Sequence, residues 1–206
     1  MKHKIHIPDS ILKQLTYRKR YTLTHLYIAY TALPKAIKIL RKNKVNKTTS
    51  FEFLERIQLA VTEVNGCAVC SYAHTKMALN MGMNEMLIFN MLDGNLNSIE
   101  QYETFGIFYA QHFADQSGKP DPEMLSKLIE IYGKISAINI HSACQVMLAG
   151  NIYGLPMSAF ISRVKKQPYT NSSLRYELFM LSFGLLIFPL GILHGIFKKD
   201  ELNTSN

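Results

Sequence analysis

Apolar side chains recur along this chain every three to four residues, and strict alternation of apolar and polar positions is nearly absent. That period places apolar residues on one face of a helix and predicts an all-α chain. The first long stretch covers 21–40, with Pro34 as its expected break, because proline removes a backbone donor and crowds the preceding turn. Residues 41–47 are basic, contain asparagine and read as a loop. Thr49 with Glu52 fits a capping box opening a helix that runs to about Val64, and Asn65-Gly66 is a stop-and-turn signal. A new helix begins near Cys67 and reaches about Met81, with Gly82 as its C-terminal punctuation. Residues 84–92 form a short helix ended by Asp93-Gly94. Asn97 or Ser98 caps the next, which runs to about Phe113. After a loop at 118–121, Asp121-Pro122 sets a capping acid before a first-turn proline. Helices over about 122–132 and 135–150 follow. Pro156, Pro168 and Asn171-Ser172-Ser173 mark a looser connection before an apolar tail.

Charge divides this picture unevenly. The net charge is +8, yet residues 1–47 hold twelve Lys/Arg against the single acid Asp9, so the basic character belongs to the N-terminal segment. A solvated basic face is the ordinary explanation of such a run. A membrane surface is an alternative partner for it. Nucleic acid is not expected, because the segment contains no recognisable binding module. The chain reads as a single all-helical array with a basic N-terminal helical arm, 1–47, and a linker with an apolar C-terminal helix, 161–206.

The tail is the second outlier. Residues 178–197 contain no Asp, Glu, Lys or Arg. Twenty helical residues span about 30 Å, enough to cross a bilayer. Gly184, Pro189, Gly191, His194 and Gly195 interrupt the run, so a buried or inter-subunit helix is the first expectation and membrane association the second. No secretory signal is read at the N-terminus, so a cytoplasmic, reducing setting is expected. There a Cys-x-x-Cys is more often redox-active or metal-binding than structural. Three cysteines do not make a disulfide scaffold.

The candidate chemistry lies between Glu55 and His74. On a helix starting at Cys67, Cys70 is one turn on and His74 four residues further, so two sulfurs and an imidazole share one face. The thiolate is the reactive form of cysteine. The positive helix N-terminus favours it, and His74 can accept the Cys70 proton directly or through water. A second thiol three residues away can trap a sulfenic acid as a disulfide. A carboxylate would orient the histidine, and both Glu55 and Glu63 are candidates on spacing alone. Chance or core packing is the plain alternative for a lone Cys-x-x-Cys. Structural zinc needs four ligands; Cys144 and His141 lack the usual paired spacing, and Cys144 reads as a small buried residue. His25, His112 and His194 read as core or surface histidines. No metal and no organic cofactor is implied.

The segment resembles the core motif of the alkylhydroperoxidase D-like proteins, within the carboxymuconolactone decarboxylase superfamily. That motif is a glutamate, eleven intervening residues, then Cys-x-x-Cys-x-x-x-His, which falls here on Glu55, Cys67, Cys70 and His74. The likeness covers about 50–160, over half the chain, and extends through Met81-Gly82-Met83-Asn84-Glu85, Asp93-Gly94 and Phe108-Tyr109-Ala110. It implies an alkylhydroperoxidase D-like core domain at 48–160, a homo-oligomer, and a thiol-dependent hydroperoxide reductase. It also implies that Cys70 attacks, that Cys67 resolves, and that Glu55 and His74 relay the proton. A dihydrolipoamide-like or thioredoxin-like thiol would act as reductant. One position departs: Val69 stands where the best-known redox members carry a histidine, so any proton handling by that group is absent here. Protein-disulfide reduction and thiol-independent lactone decarboxylation are the enzymatic alternatives. A membrane- or partner-binding module is the non-enzymatic one.

Overall fold

Each predicted apolar stretch forms a helix, and the order of their caps fixes the architecture. The computed structural model describes residues 5–97 and 99–198. Its elements are α1 (Asp9–Leu12), α2 (Leu23–Asn46), α3 (Phe51–Asn65), α4 (Ala68–Asn80), α5 (Glu85–Leu92), α6 (Gln101–Asp115), α7 (Pro122–Val164) and α8 (Leu174–Phe197). The described residues contain no strand, as an all-α chain requires. Helix α7 is the centre: it packs against α2, α3, α4, α6 and α8. The core around it holds Ile57, Leu59, Ile88, Ile107, Tyr109, Phe113 and Ile140, all almost fully buried.

Several boundaries differ from the sequence reading, each for a tertiary reason. Pro34 does not break α2, and 41–47 is not a loop: the helix continues to Asn46 and ends at Lys47 in the left-handed region (φ 52°). Leu26, Tyr30, Leu33 and Ala36 are buried on α2, which packs on both α7 and α8. That packing outweighs one lost backbone hydrogen bond. The cap of α3 is Ser50, whose hydroxyl accepts from the Phe53 amide at 3.1 Å, rather than Thr49. Thr49 is otherwise engaged: its amide donates to Asn43 Oδ1 at 2.9 Å and its hydroxyl accepts from Asn139 Nδ2 at 3.1 Å. Glu100, not Asn97, precedes α6; the Asn97 amide is held by Asn95 Oδ1 in the preceding turn, and Ser98 lies outside the described residues.

The two helices expected between 122 and 150 are joined at Gly133, whose φ of 74° and ψ of 157° kink α7. Only glycine takes up that conformation without strain. Beyond it the helix runs through Pro156, which is buried, to Val164. Helix α8 likewise continues through Pro189.

The basic arm buries its apolar residues against the molecule while its cations, Lys13, Arg20, Lys38, Arg41 and Lys42 among them, stay exposed, as a solvated basic face requires. Ile7, Ile11 and Tyr17 are buried. Arg18 Nη1 donates to the Glu63 carbonyl at 2.5 Å, Gln14 Nε2 to the Gly66 carbonyl at 3.3 Å, and the Tyr17 amide to Asn171 Oδ1 at 2.8 Å. Two helices are long and apolar enough to cross a membrane: α7, mostly buried as a core helix, and α8, with only 22% of its apolar window buried. Helix α8 is therefore not buried within its own chain, and a face this exposed is compatible both with the inter-subunit helix of the first expectation and with the membrane-associated helix of the second.

Candidate active site

Local sequence builds the site in three steps. Gly66 ends α3 in the left-handed region (φ 66°), a conformation that costs glycine nothing. The turn reverses the chain, so α4 runs back beside α3. Cys67 then serves as the N-cap of α4, its Sγ accepting from the Cys70 amide at 3.4 Å. The Val69 amide, another donor left open at a helix start, is taken by Ser158 Oγ at 3.2 Å.

Cys67 and Cys70 are joined as a disulfide with Cα atoms 5.3 Å apart. Cys67 is wholly buried, whereas Cys70 keeps 8% of its surface. Both sulfurs lie against the backbone of α7. A Cβ built on Gly154 would come within 2.6 Å of Cys70 Sγ and 2.8 Å of Cys67 Sγ, and Cys70 Sγ is 3.7 Å from the Gly150 carbonyl.

One turn beyond Cys70 stands His74, its side chain 17% exposed, with Nδ1 at 2.6 Å from Oε1 of the buried Glu55. Of the two carboxylates left open by spacing, Glu55 is thus the one that meets the histidine. Glu63 turns elsewhere, to Arg18 at 3.5 Å and to Gln111 Nε2 at 3.4 Å. Burial raises the Glu63 carboxyl above its ordinary range, an effect that Arg18 and Gln111 oppose.

No family model, no curated protein and no solved structure matches this chain.

The remaining candidates are held in other roles. Cys144 is completely buried, and burial pushes its thiol far up from the usual range; a protonated thiol is a poor nucleophile and a poor ligand. His141 Nδ1 is 2.6 Å from the Tyr109 hydroxyl, and burial lowers its pKa to about 4. No cluster of metal-ligating side chains forms among the described residues. His25 completes the capping box of α2 with Thr22, His112 lies 3.3 Å from Asp121, and His194 is 2.9 Å from the Tyr27 hydroxyl. Val69 is exposed beside the pair. A cavity of about 710 Å³ opens between α2, α6 and α7 and includes His25, Phe113, His141 and Gln145, but none of the four motif residues lines it.

The sequence reading missed Gly150, Gly154 and Ser158. Their signal was present as small residues four apart along an apolar helix. That spacing puts all three on one face, where neighbours can approach the backbone closely. It was obscured because Pro156 suggested a loop.

Proposed function

We propose that this chain is a thiol-dependent hydroperoxide reductase of the alkylhydroperoxidase D-like type. The observation that carries the reading is the pairing of a part-buried Glu55–His74 hydrogen bond between α3 and α4 with a Cys67–Cys70 disulfide at the start of α4. The buried carboxylate fixes the orientation of the ring that serves as general base beside the thiol. With Nδ1 taken by Glu55, Nε2 is the nitrogen that handles the Cys70 proton.

Reduced, the pair works in three balanced steps. The Cys70 thiolate attacks the terminal oxygen of the hydroperoxide; the O–O bond breaks, Cys70 becomes a sulfenic acid, and the alkoxide leaves as an alcohol with the proton held by His74. The Cys67 sulfur then displaces hydroxide from Cys70, releasing water and closing the disulfide. Two equivalents of an external thiol restore the dithiol by exchange and leave as their own disulfide. The unequal burial of the two sulfurs supports this order, since only Cys70 presents surface to a substrate. Cys67 sits where the helix N-terminus stabilises its anion, so it is the better leaving group when the disulfide is reduced.

The test is rapid-mixing consumption of an organic hydroperoxide with Cys70→Ser, Cys67→Ser and Glu55→Gln. Cys70→Ser abolishes turnover. Cys67→Ser consumes one equivalent and stops as a sulfenic acid that dimedone traps. Glu55→Gln slows the first step by about 10²-fold or more, the usual scale of a general base. Full activity in Cys70→Ser overturns the reading. Disulfide reduction without peroxide consumption by the wild-type chain moves it to a protein-disulfide reductase.

A further inference from the structure

Helices α2 and α8 run side by side in the same direction. Leu26 meets Gly184, Tyr30 meets Gly191, and Thr31 and Pro34 meet Gly195. The glycines allow this approach: a Cβ at Gly195 would collide with the Thr31 carbonyl, and one at Gly191 would come within 2.6 Å of Tyr30 Cβ. One face of α8 is therefore fixed to the domain. The opposite face is open and apolar, with Leu186 64%, Leu190 59% and Leu193 55% exposed, and Phe179, Phe183, Ile196 and Phe197 beside them. A soluble surface rarely carries a continuous apolar stripe of this length without an occupant.

Charge identifies the occupant. No acid occurs between Asp9 and Glu52, so α2 carries none. The one acid of α8, Glu177, is fully buried and paired with Arg163 at 2.8 Å. Cations stand at both ends of the apolar face. Arg20 lies 4.1 Å over the Tyr176 ring at the start of α8. At the other end, a groove of about 500 Å³ is lined by Ile37, Lys38, Arg41, Lys42, Val45 and Ile192. Apolar walls and three cations in one groove suit a phosphate-bearing lipid headgroup.

We propose that the α2–α8 face docks in the plane of an anionic phospholipid bilayer, α8 entering the acyl boundary and the basic half of α2 lying among the headgroups. The glycine seam decides between lying in the surface and crossing it. If α8 crossed the bilayer, α2 and α7, which pack along its other face, and the polar groups they carry would enter hydrocarbon with it, which is strongly unfavourable. In the surface plane the domain stays in water, and Lys38, Arg41 and Lys42 meet phosphate as the basic flank of an interfacial helix does. This inference does not depend on the peroxidase reading, and its test measures binding alone.

The experiment is flotation of the full chain with vesicles of phosphatidylcholine alone or mixed with phosphatidylglycerol, at low and high salt. Binding is expected to the anionic vesicles and to weaken with salt. Lys38→Gln/Arg41→Gln/Lys42→Gln should weaken it about fivefold per cation removed. Leu186→Gln/Leu190→Gln/Leu193→Gln should abolish it while leaving the circular dichroism melt in place. Because the chain has no tryptophan, Leu190→Trp gives a clean reporter, with a blue-shifted emission quenched by brominated lipid. This arm does not rely on the triple variant folding. Three outcomes overturn the proposal: equal binding to both vesicle types at either salt, an unshifted Leu190→Trp emission, or a wild-type chain that ignores vesicles and forms an assembly dissociated by the leucine variant. The last would make the face a contact between copies.

Discussion

Gly154 is the residue on which the Cys67–Cys70 pair leans. Alanine there would set a methyl group 2.6 Å from Cys70 Sγ and 2.8 Å from Cys67 Sγ, well inside contact distance, with the backbone of the central helix behind it. Either the disulfide or α7 must move. Overpacking of this kind costs about 1–3 kcal/mol, so Gly154→Ala should lower the denaturation midpoint of the oxidised protein and slow disulfide closure after peroxide. An unchanged midpoint with unchanged closure would show that the sulfurs are less constrained than the geometry indicates. At this scale the sequence carried much of the site. Cys67, Cys70 and His74 are local to one helix, and period alone aligns them. The choice of Glu55 over Glu63 was not legible from spacing, because it depends on which carboxylate the antiparallel partner helix presents. Glu63 is drawn away by Arg18, from an arm 45 residues earlier in the chain.

Among the elements, the contact of α6 with α7 is the one that pH should loosen. His141 sits on α7 with Nδ1 against the Tyr109 hydroxyl of α6, and desolvation lowers its pKa from 6.5 to about 4. The unfolded chain therefore binds the proton first as pH falls. Stability is full above about pH 6.5, declines between 6.5 and 4, and declines no further from this group below that. The shift corresponds to roughly 3 kcal/mol at most. Urea midpoints of wild type and His141→Gln across this range provide the check: the wild type should lose more than the variant between pH 7 and pH 4, and parallel curves would refute the assignment. Element boundaries were legible where local residues end or open a helix, as at Asn65-Gly66 and Asp93-Gly94 for ends and Asp121-Pro122 for a start. They were not legible at Pro34, Pro156 and Pro189. There, local propensity predicts a stop, and packing of the flanking turns against neighbouring helices carries the helix through.

At the scale of the whole molecule, α8 is held to the domain by a buried ion pair as well as by its glycine seam. Both Arg163 Nε and Nη2, at the end of α7, donate to the Glu177 carboxylate at 2.8 Å, and Ser172 Oγ donates to it at 2.7 Å. Glu177 is completely buried. Desolvation pushes its carboxyl up, but the hydrogen bonds from Arg163 and Ser172 outweigh that and leave it below the ordinary range. Its contribution to stability is thus present above the usual carboxylate pKa of about 4.3 and is lost as pH falls below it. Arg163→Met keeps the stem and removes the charge, leaving a buried carboxylate without its partner. The variant should melt several degrees below wild type at neutral pH. The gap should narrow on mild acidification, because Glu177 then escapes the penalty by taking up a proton. Arg163→Met/Glu177→Gln, with no charge left to bury, should recover part of the loss. If α8 were only loosely attached, the single variant would leave the global melt unchanged and merely expose the 165–173 connection to protease, so melting and proteolysis together distinguish a staple from a tether. The same measurement bears on the docking surface, since α8 can present its leucines to a bilayer in fixed register with the α2 cations only while this junction holds.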